Sequence, residues 1–197
     1  MSPPFVYLAS RSPRRAELLR QLGVEFEIVE APVDESLYAD ETAAEYVRRL
    51  AHAKVEAARA TFPTPPSAPI LGADTTVTRD AAVLGKPRDA ADAVAMLLGL
   101  AERSHQVHSA VAVCNHAGRF ETGYSVSRVW FRTISRAEAE AYWRSGEPAD
   151  KAGGYAIQGR GAVFVERLEG SYSGVMGLPL FETAALLRGM GVKLLDG

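Results

Sequence analysis

A single cysteine, Cys114, in 197 residues excludes an intramolecular disulfide and a cysteine-built zinc site. It stands in the apolar run Ala110–Cys114, where a thiol reads as a buried strand residue. Charge of one sign is equally scarce. The 22 Lys and Arg against 24 Asp and Glu leave a formal net charge of −2. Bulk electrostatics therefore cannot bind DNA or RNA, and a polyanion has to be held by a local cluster. No apolar run approaches the roughly 20 residues of a membrane span. Met1–Leu8 lacks the basic start and long apolar stretch of a signal peptide. The expectation is a cytoplasmic protein with no membrane or nucleic-acid partner. The four histidines, His52, His105, His108 and His116, have no His-Glu-x-x-His spacing and read as structural or surface residues. Ser171 and Ser173 lack a nucleophile-elbow frame, and no covalent nucleophile stands out.

What is present is ordinary in bulk. With 47% hydrophobic and 23% charged residues, the chain has the composition of a globular protein. Its length suits one domain, residues 1–197, with its own core. Phe5–Ala9 reads as a strand. Ser12 and Pro13 then open a helix that runs to about Leu22 and stops at Gly23. Phe26–Val29 is a second strand, and an acidic loop follows from Ala31 to Asp40. Thr42 and Glu45 form a capping box for a helix with the stripe Val47, Leu50, Ala51, Val55 and Ala58. No helix or strand is expected in the proline-rich Phe62–Pro69.

Ile70–Ala73 reads as a strand ending at Asp74, followed by a hairpin of Thr75–Thr78 and Ala82–Leu84. A helix capped by Asp89 runs to Leu100. Two long strands, Gln106–Cys114 and Tyr124–Thr133, come next, and then a helix with a Ser135/Glu138 capping box. Ala162–Leu168 reads as a strand and Gly170–Pro179 as a glycine-rich loop. A helix Leu180–Met190 and a short strand Val192–Leu195 complete the chain. Early alternation followed by a strand-rich middle predicts an α/β (mixed α+β) fold with a mixed sheet.

Six places carry chemistry. Ser10-Arg11-Ser12-Pro13-Arg14-Arg15 brings a strand to a helix start with two arginines in its first turn. Cations disfavour that end of a helix. Either they are solvated surface charges, or an anion arrives there. The stretch is not a P-loop, since it lacks the glycines and the Gly-Lys-Ser/Thr ending. Lys54 falls on the apolar stripe of its helix and must snorkel, pair with an acid, or reach a polar cavity. Asp74, with Thr75, puts a carboxylate where open α/β sheets bind ligands. Asp34 and Glu35 add loop carboxylates, and hard oxygens of this kind suit Mg²⁺ or Mn²⁺. Lys86 follows Gly85. Lys151 and Gln158 stand in a glycine-rich stretch able to form a binding wall. By themselves these features give a phosphorylated ligand and a pattern suited to metal-assisted attack of water on a phosphate ester.

Ser10–Arg15, Gly72-Ala73-Asp74-Thr75, Gly85-Lys86-Pro87, Asp150-Lys151-Ala152-Gly153-Gly154-Tyr155-Ala156-Ile157-Gln158-Gly159, Gly170-Ser171-Tyr172 and Gly177-Leu178-Pro179-Leu180 together resemble the successive motifs of the Maf nucleotide pyrophosphatases. The resemblance covers nearly the whole chain. It implies an elongated mixed sheet flanked by helices, two lobes with a central cleft, and kinship with the inosine triphosphate pyrophosphatases (the HAM1 type). It implies hydrolysis between the α and β phosphates with a divalent metal, Mg²⁺ or Mn²⁺, and a homodimer.

Asp74 matches the family's catalytic acid, as proton acceptor or as metal ligand. Lys54 and Lys86 match lysines that face the phosphates, and Glu35 is a second metal or water ligand. Arg14, Thr75 and Gln158 match the branch that takes dTTP and UTP rather than 7-methyl-GTP. A carboxamide held in one orientation pairs with N3–H and O4 of uracil or thymine and rejects cytosine. The rival from another class is a nucleotide-binding regulator of septum formation without turnover. Intact Asp74, Lys54 and Lys86 argue against it.

Overall fold

The computed structural model describes residues 4–30, 32–80 and 82–194. Their strands are β1 (Phe5–Leu8), β2 (Glu25–Ile28), β3 (Ile70–Arg79), β4 (Ala82–Leu84), β5 (Ser104–Cys114), β6 (Phe120–Phe131) and β7 (Val165–Glu169). The α-helices are α1 (Pro13–Gln21), α2 (Ala43–Ala60), α3 (Ala90–Leu100), α4 (Arg136–Arg144), α5 (Tyr172–Met176) and α6 (Leu180–Gly189). Tight 3₁₀ turns occupy Ala152–Gly154 and Arg160–Phe164.

The strands form one mixed sheet in the order β2-β1-β3-β5-β6-β7, with β4 also beside β3. β1 runs parallel to β2 and β3, and the remaining pairs are antiparallel. The mixed sheet expected from the sequence is therefore present. Both capping boxes are also formed: Thr42 accepts from the Glu45 N–H and Ser135 from the Glu138 N–H, with each glutamate returning the bond. Asp89 caps α3 through the Asp92 N–H.

Strand parity divides the core into two layers. Leu71, Ala73 and Val77 join Leu8, Leu18, Leu19, Val111 and Phe131 on one side of the sheet. Ile70 joins Val47, Ala51, Val55, Ala58 and Cys114 on the other, under α2. Gly72 shares that second side. A Cβ on it would stand 2.7 Å from the Ala51 carbonyl oxygen and 2.9 Å from Val55 Cγ2. The bare glycine lets α2 lie directly on the strand. Cys114 is buried, as its apolar neighbours predict.

Four sequence expectations need correction. β3 does not end at Asp74, and Thr75 does not begin a new element. Every residue from Ile70 to Thr78 pairs with β5, so Asp74 lies in mid-strand opposite Ala110. The charge breaks the apolar pattern without breaking the ladder, because Lys54 meets it. The predicted strand Ala162–Leu168 begins as the 3₁₀ turn Arg160–Phe164, leaving the shorter β7. The glycine-rich 170–179 segment contains α5, which Ser171 caps through the Gly174 N–H. Residues 192–194 form no strand, and Leu195 lies outside the described residues.

One topological feature creates a crevice. β1 pairs with β3 only at Ile70 and Leu71, and β4 only at Val77–Arg79. Between these contacts, residues 72–76 of β3 have no strand partner on that edge among the described residues. The gap opens beyond the carboxyl end of β1, where open α/β sheets bind ligands.

Candidate active site

A cavity of about 850 Å³ fills this gap. Its wall includes Ser10, Arg14, Arg15, Glu35, Lys54, Asp74, Thr75, Lys86, Lys151 and Gln158. Residues singled out from six separate stretches of sequence thus share one surface. Asp34 does not join them. It is exposed, and its carboxylate accepts from the Ser36 N–H at 2.9 Å.

The chemical centre is a triad of charges. Lys54 Nζ donates to Asp74 Oδ1 at 2.6 Å and pairs with Glu35 Oε1 at 2.7 Å. Asp74 and Lys54 are buried, and the Glu35 side chain is about half exposed. Lys54 therefore takes two of the outcomes open to it from sequence, an acid partner and a polar cavity. Burial pushes the Asp74 carboxyl above the usual carboxylate range, and the positive charges of Lys54 and Arg15 oppose this without cancelling it. Burial acts the same way on Glu35. There the hydrogen bond and charge of Lys54, with Lys86 and Arg15, outweigh it and hold that carboxyl low. The two carboxylates are thus set apart by environment.

Facing them is the start of α1. Pro13 occupies its first turn, which contains no acidic residue, and the Ser12 side chain makes no capping bond. The sequence predicts a serine N-cap. The residue is in place, but its hydroxyl leaves the first-turn N–H groups unbound. Free N–H groups and the positive dipole end suit an anion. Arg15 is fixed there: Nε donates to the Gly177 carbonyl at 2.8 Å and Nη1 to Ser10 Oγ at 3.1 Å. Arg14 is half-buried toward Asp150, Tyr142 and Glu147.

On a further wall, Lys151 pairs with Asp150. The exposed amide nitrogen of Gln158 stands 3.4 and 3.5 Å from the two Glu17 carboxylate oxygens, at the edge of hydrogen-bond range. The segment carrying Gln158 is tied down by Glu147. Its carboxylate accepts from the N–H groups of Arg160 and Gly161 and from the Tyr142 hydroxyl, which in turn accepts from the Ala156 N–H.

Sequence reasoning missed the braces. Tyr46 donates its hydroxyl to the Glu35 carbonyl at 2.9 Å. Burial and the charges of Asp74 and Glu35 push its pKa up to about 12, so the donor proton stays. Arg49 grips Glu41 at 2.6 and 2.7 Å and the Ser36 carbonyl at 2.9 Å. Together they hold the acidic loop so that Glu35 reaches Lys54. Tyr46, Leu50 and Lys54 lie four residues apart on one helix face, so the spacing offered a signal for Tyr46. Nothing in the sequence pointed to Arg49. His105 and His108 are buried structural residues, as expected. His105 Nε2 meets the Tyr155 hydroxyl at 2.7 Å, and His108 Nδ1 meets that of Tyr124 at 2.6 Å. Among the described residues no helix is long and apolar enough to cross a membrane.

The family model described as Maf-like protein matches residues 5–190. The dTTP/UTP pyrophosphatase of Methylobacillus flagellatus is 52% identical over 189 residues, covering 96% of this chain and 94% of that protein. The dTTP/UTP pyrophosphatase of Saccharophagus degradans is 55% identical over 190 residues, covering 96% and 90%. Among solved structures, the nucleoside-triphosphatase/dITP/XTP pyrophosphatase of Mycobacterium abscessus is 18% identical, with a TM-score of 0.46 over 95% of each chain.

Proposed function

The chain belongs to the Maf-like family, and on that premise we propose that it hydrolyses dTTP and UTP to the nucleoside monophosphate and pyrophosphate. The observation that carries this reading is the Asp74–Lys54–Glu35 cluster in the gap beside β3, opposite the arginine-bearing start of α1. Relatives sharing about half of the sequence, each a dTTP/UTP pyrophosphatase, support the substrate choice.

In this reading, the first-turn N–H groups of α1 with Arg14 and Arg15 take the phosphate chain. Lys86 and Lys151 add positive charge along its path. Such preset donors stabilise the charge that develops on the leaving pyrophosphate. Water attacks the α-phosphorus and the bond to the bridging oxygen breaks as pyrophosphate leaves. Asp74, whose Oδ1 is engaged by Lys54, acts through Oδ2, either taking the water's proton or serving as a ligand to the cation that would lower that water's pKa. Lys54 keeps Asp74 and Glu35 together and aimed at that water. A carboxyl raised by burial is a better proton acceptor than an ordinary aspartate.

The donor set suits a small divalent cation. Asp74 Oδ2 and Glu35 Oε2 make no hydrogen bond among the described residues. Mg²⁺ takes one or two carboxylates and completes its shell with phosphate oxygens and water. No group of three or more acidic, histidine or cysteine side chains is available to cage it among the described residues. Asp74 and Glu35 would hold Mg²⁺ or Mn²⁺. When bound, the ion supplies a lowered water pKa and charge neutralisation on the phosphates. A homodimer working in the cytoplasm completes the proposal, on the strength of the family resemblance.

The test is pyrophosphate release from dTTP, UTP, CTP, GTP and 7-methyl-GTP with Mg²⁺ or Mn²⁺, and with EDTA. The expected result is release that EDTA stops, fastest from dTTP and UTP. Nucleotide binding without release would favour the regulator instead.

A further inference from the structure

We propose that Ser109 fixes the proton of Thr75, so that Thr75 faces the cavity only as a hydrogen-bond acceptor and receives a donor from the nucleoside part of the substrate. The identity of the ligand rests on the hydrolase reading; the direction of the proton rests on the hydroxyl geometry alone. Ser109 lies on β5, directly across from Thr75, and is 1% exposed. Its hydroxyl oxygen is 2.6 Å from the Gly174 carbonyl oxygen and 2.8 Å from Thr75 Oγ1. A serine hydroxyl has one proton, and a carbonyl oxygen can only accept. Two bare oxygens at 2.6 Å would repel, so the Ser109 proton lies on the contact to Gly174. The 2.8 Å contact must then carry the proton of Thr75. The donor of Thr75 points into the protein, and its lone pairs point into the cavity.

The template is rigid. Gly174 is held in α5 by the bond from its N–H to Ser171 Oγ at 3.0 Å. The end of α5 closes over the same hydroxyl. A Cβ on Gly177 would come 3.9 Å from Thr75 Oγ1, and its φ of +123° disfavours any other residue.

The consequence is a polarity along the cavity. Asp74 and Thr75 are consecutive on β3 and point to opposite faces of the sheet. Asp74 meets Lys54 on the α2 side. Thr75 presents an acceptor on the other side, the α1 side, where Gly177 holds Arg15; phosphate oxygens, being acceptors themselves, cannot use it. Thr75 therefore reads the nucleoside and leaves the phosphates to the arginines. The donor it can take is the imide N–H of the base or a sugar hydroxyl. In this role Thr75 touches substrate, and Ser109 is a positioning residue.

The experiment compares kcat/KM for dTTP, its N3-methyl analogue and its 3′-deoxy analogue. It uses the full chain, Ser109→Ala, Thr75→Val and the double variant. One analogue, the one lacking the donor that Thr75 reads, should lose about tenfold against dTTP, mainly through KM. Loss with the N3-methyl analogue assigns the base, and loss with the 3′-deoxy analogue assigns the sugar. Thr75→Val should abolish that preference. Ser109→Ala should weaken it, and should add nothing in the Thr75→Val background. An unchanged preference in Ser109→Ala overturns the proposal. So does equal cost of Ser109→Ala with and without Thr75, or equal use of all three nucleotides by the unaltered chain. If Ser109→Ala does not fold, the Thr75→Val comparison still decides. If nothing is hydrolysed, the hydrolase reading fails, and equilibrium binding of the same three nucleotides tests the Thr75 preference on its own.

Discussion

Lys54 Nζ lies 2.6 Å from Asp74 Oδ1 and 2.7 Å from Glu35 Oε1, so one ammonium from α2 joins a β3 carboxylate to a loop carboxylate. The two acids are 39 positions apart in the chain, and neither is near Lys54 in sequence. Each half of the arrangement answers a problem posed by the other. A buried lysine and a buried aspartate are both costly alone, and paired they are tolerated. Glu35, half exposed, adds a charge that water can reach.

Asp74→Asn should abolish turnover and leave the fold intact. The amide keeps an oxygen for Lys54 to bond, and burial already disfavours the charged carboxylate. A rate loss of about 10²–10⁴-fold is expected with little change in Tm. Pyrophosphate release and thermal melts check both halves. A near-normal rate would remove Asp74 from the chemistry.

Gly72→Ala should damage the site from beneath. The added methyl would meet the Ala51 carbonyl oxygen at 2.7 Å, and backbone there cannot give way unless α2 moves. Overpacking of this kind costs about 1–3 kcal/mol. Because Lys54 rides on α2, turnover should fall as well. A variant with unchanged melting and turnover would show that the helix–strand contact has slack.

His105 should make the protein acid-sensitive. Burial lowers its pKa from 6.5 to about 4. Its Nδ1 is buried with no partner among the described residues. The unfolded chain then binds the extra proton first. Stability is full above pH 6.5 and is lost as pH falls toward about 4, by roughly 3 kcal/mol over the window. His105→Gln keeps a polar group opposite Tyr155 without titrating. Melts from pH 7 to 4 should show a flatter profile for it, and parallel profiles would assign the acid sensitivity elsewhere.

Glu17 should sharpen base selection through Gln158. A carboxylate only accepts, so it draws the amide N–H₂ of Gln158 toward itself and turns the amide oxygen away. The contact is long and exposed, so the orienting effect is modest. Glu17→Ala should narrow the ratio of UTP to CTP turnover by a few-fold. Gln158→Glu should change it more. Unaltered ratios in both would refute pairing by this amide.

Local signals in the sequence held wherever the decisive contact was near in the chain. The Thr42/Glu45 and Ser135/Glu138 boxes, the proline at the start of α1 and the stripe of α2 were legible because their partners lie within a turn. Asp74, which the pattern puts at a strand end, lies in mid-strand. Its neighbours in the ladder belong to β5, more than thirty residues later, and its charge is met from α2. α5 was hidden among glycines, since five residues are too few to show a helical period.

The sequence by itself determined the residue types at the site, the run of motifs that mark the family, and the mixed sheet. The residue types are written in the chain, the motifs carry the family by resemblance, and the mixed sheet follows from the order of strand and helix patterns. Only the tertiary structure decided where the site opens. The gap exists because β1 and β4 each cover only part of one edge of β3, and strand pairing between distant segments leaves no local trace. The tertiary structure also decided the direction of the Thr75 hydroxyl. That depends on Ser109 and Gly174, contributed by β5 and α5, and a proton's direction is set by the acceptors around it rather than by its own residue.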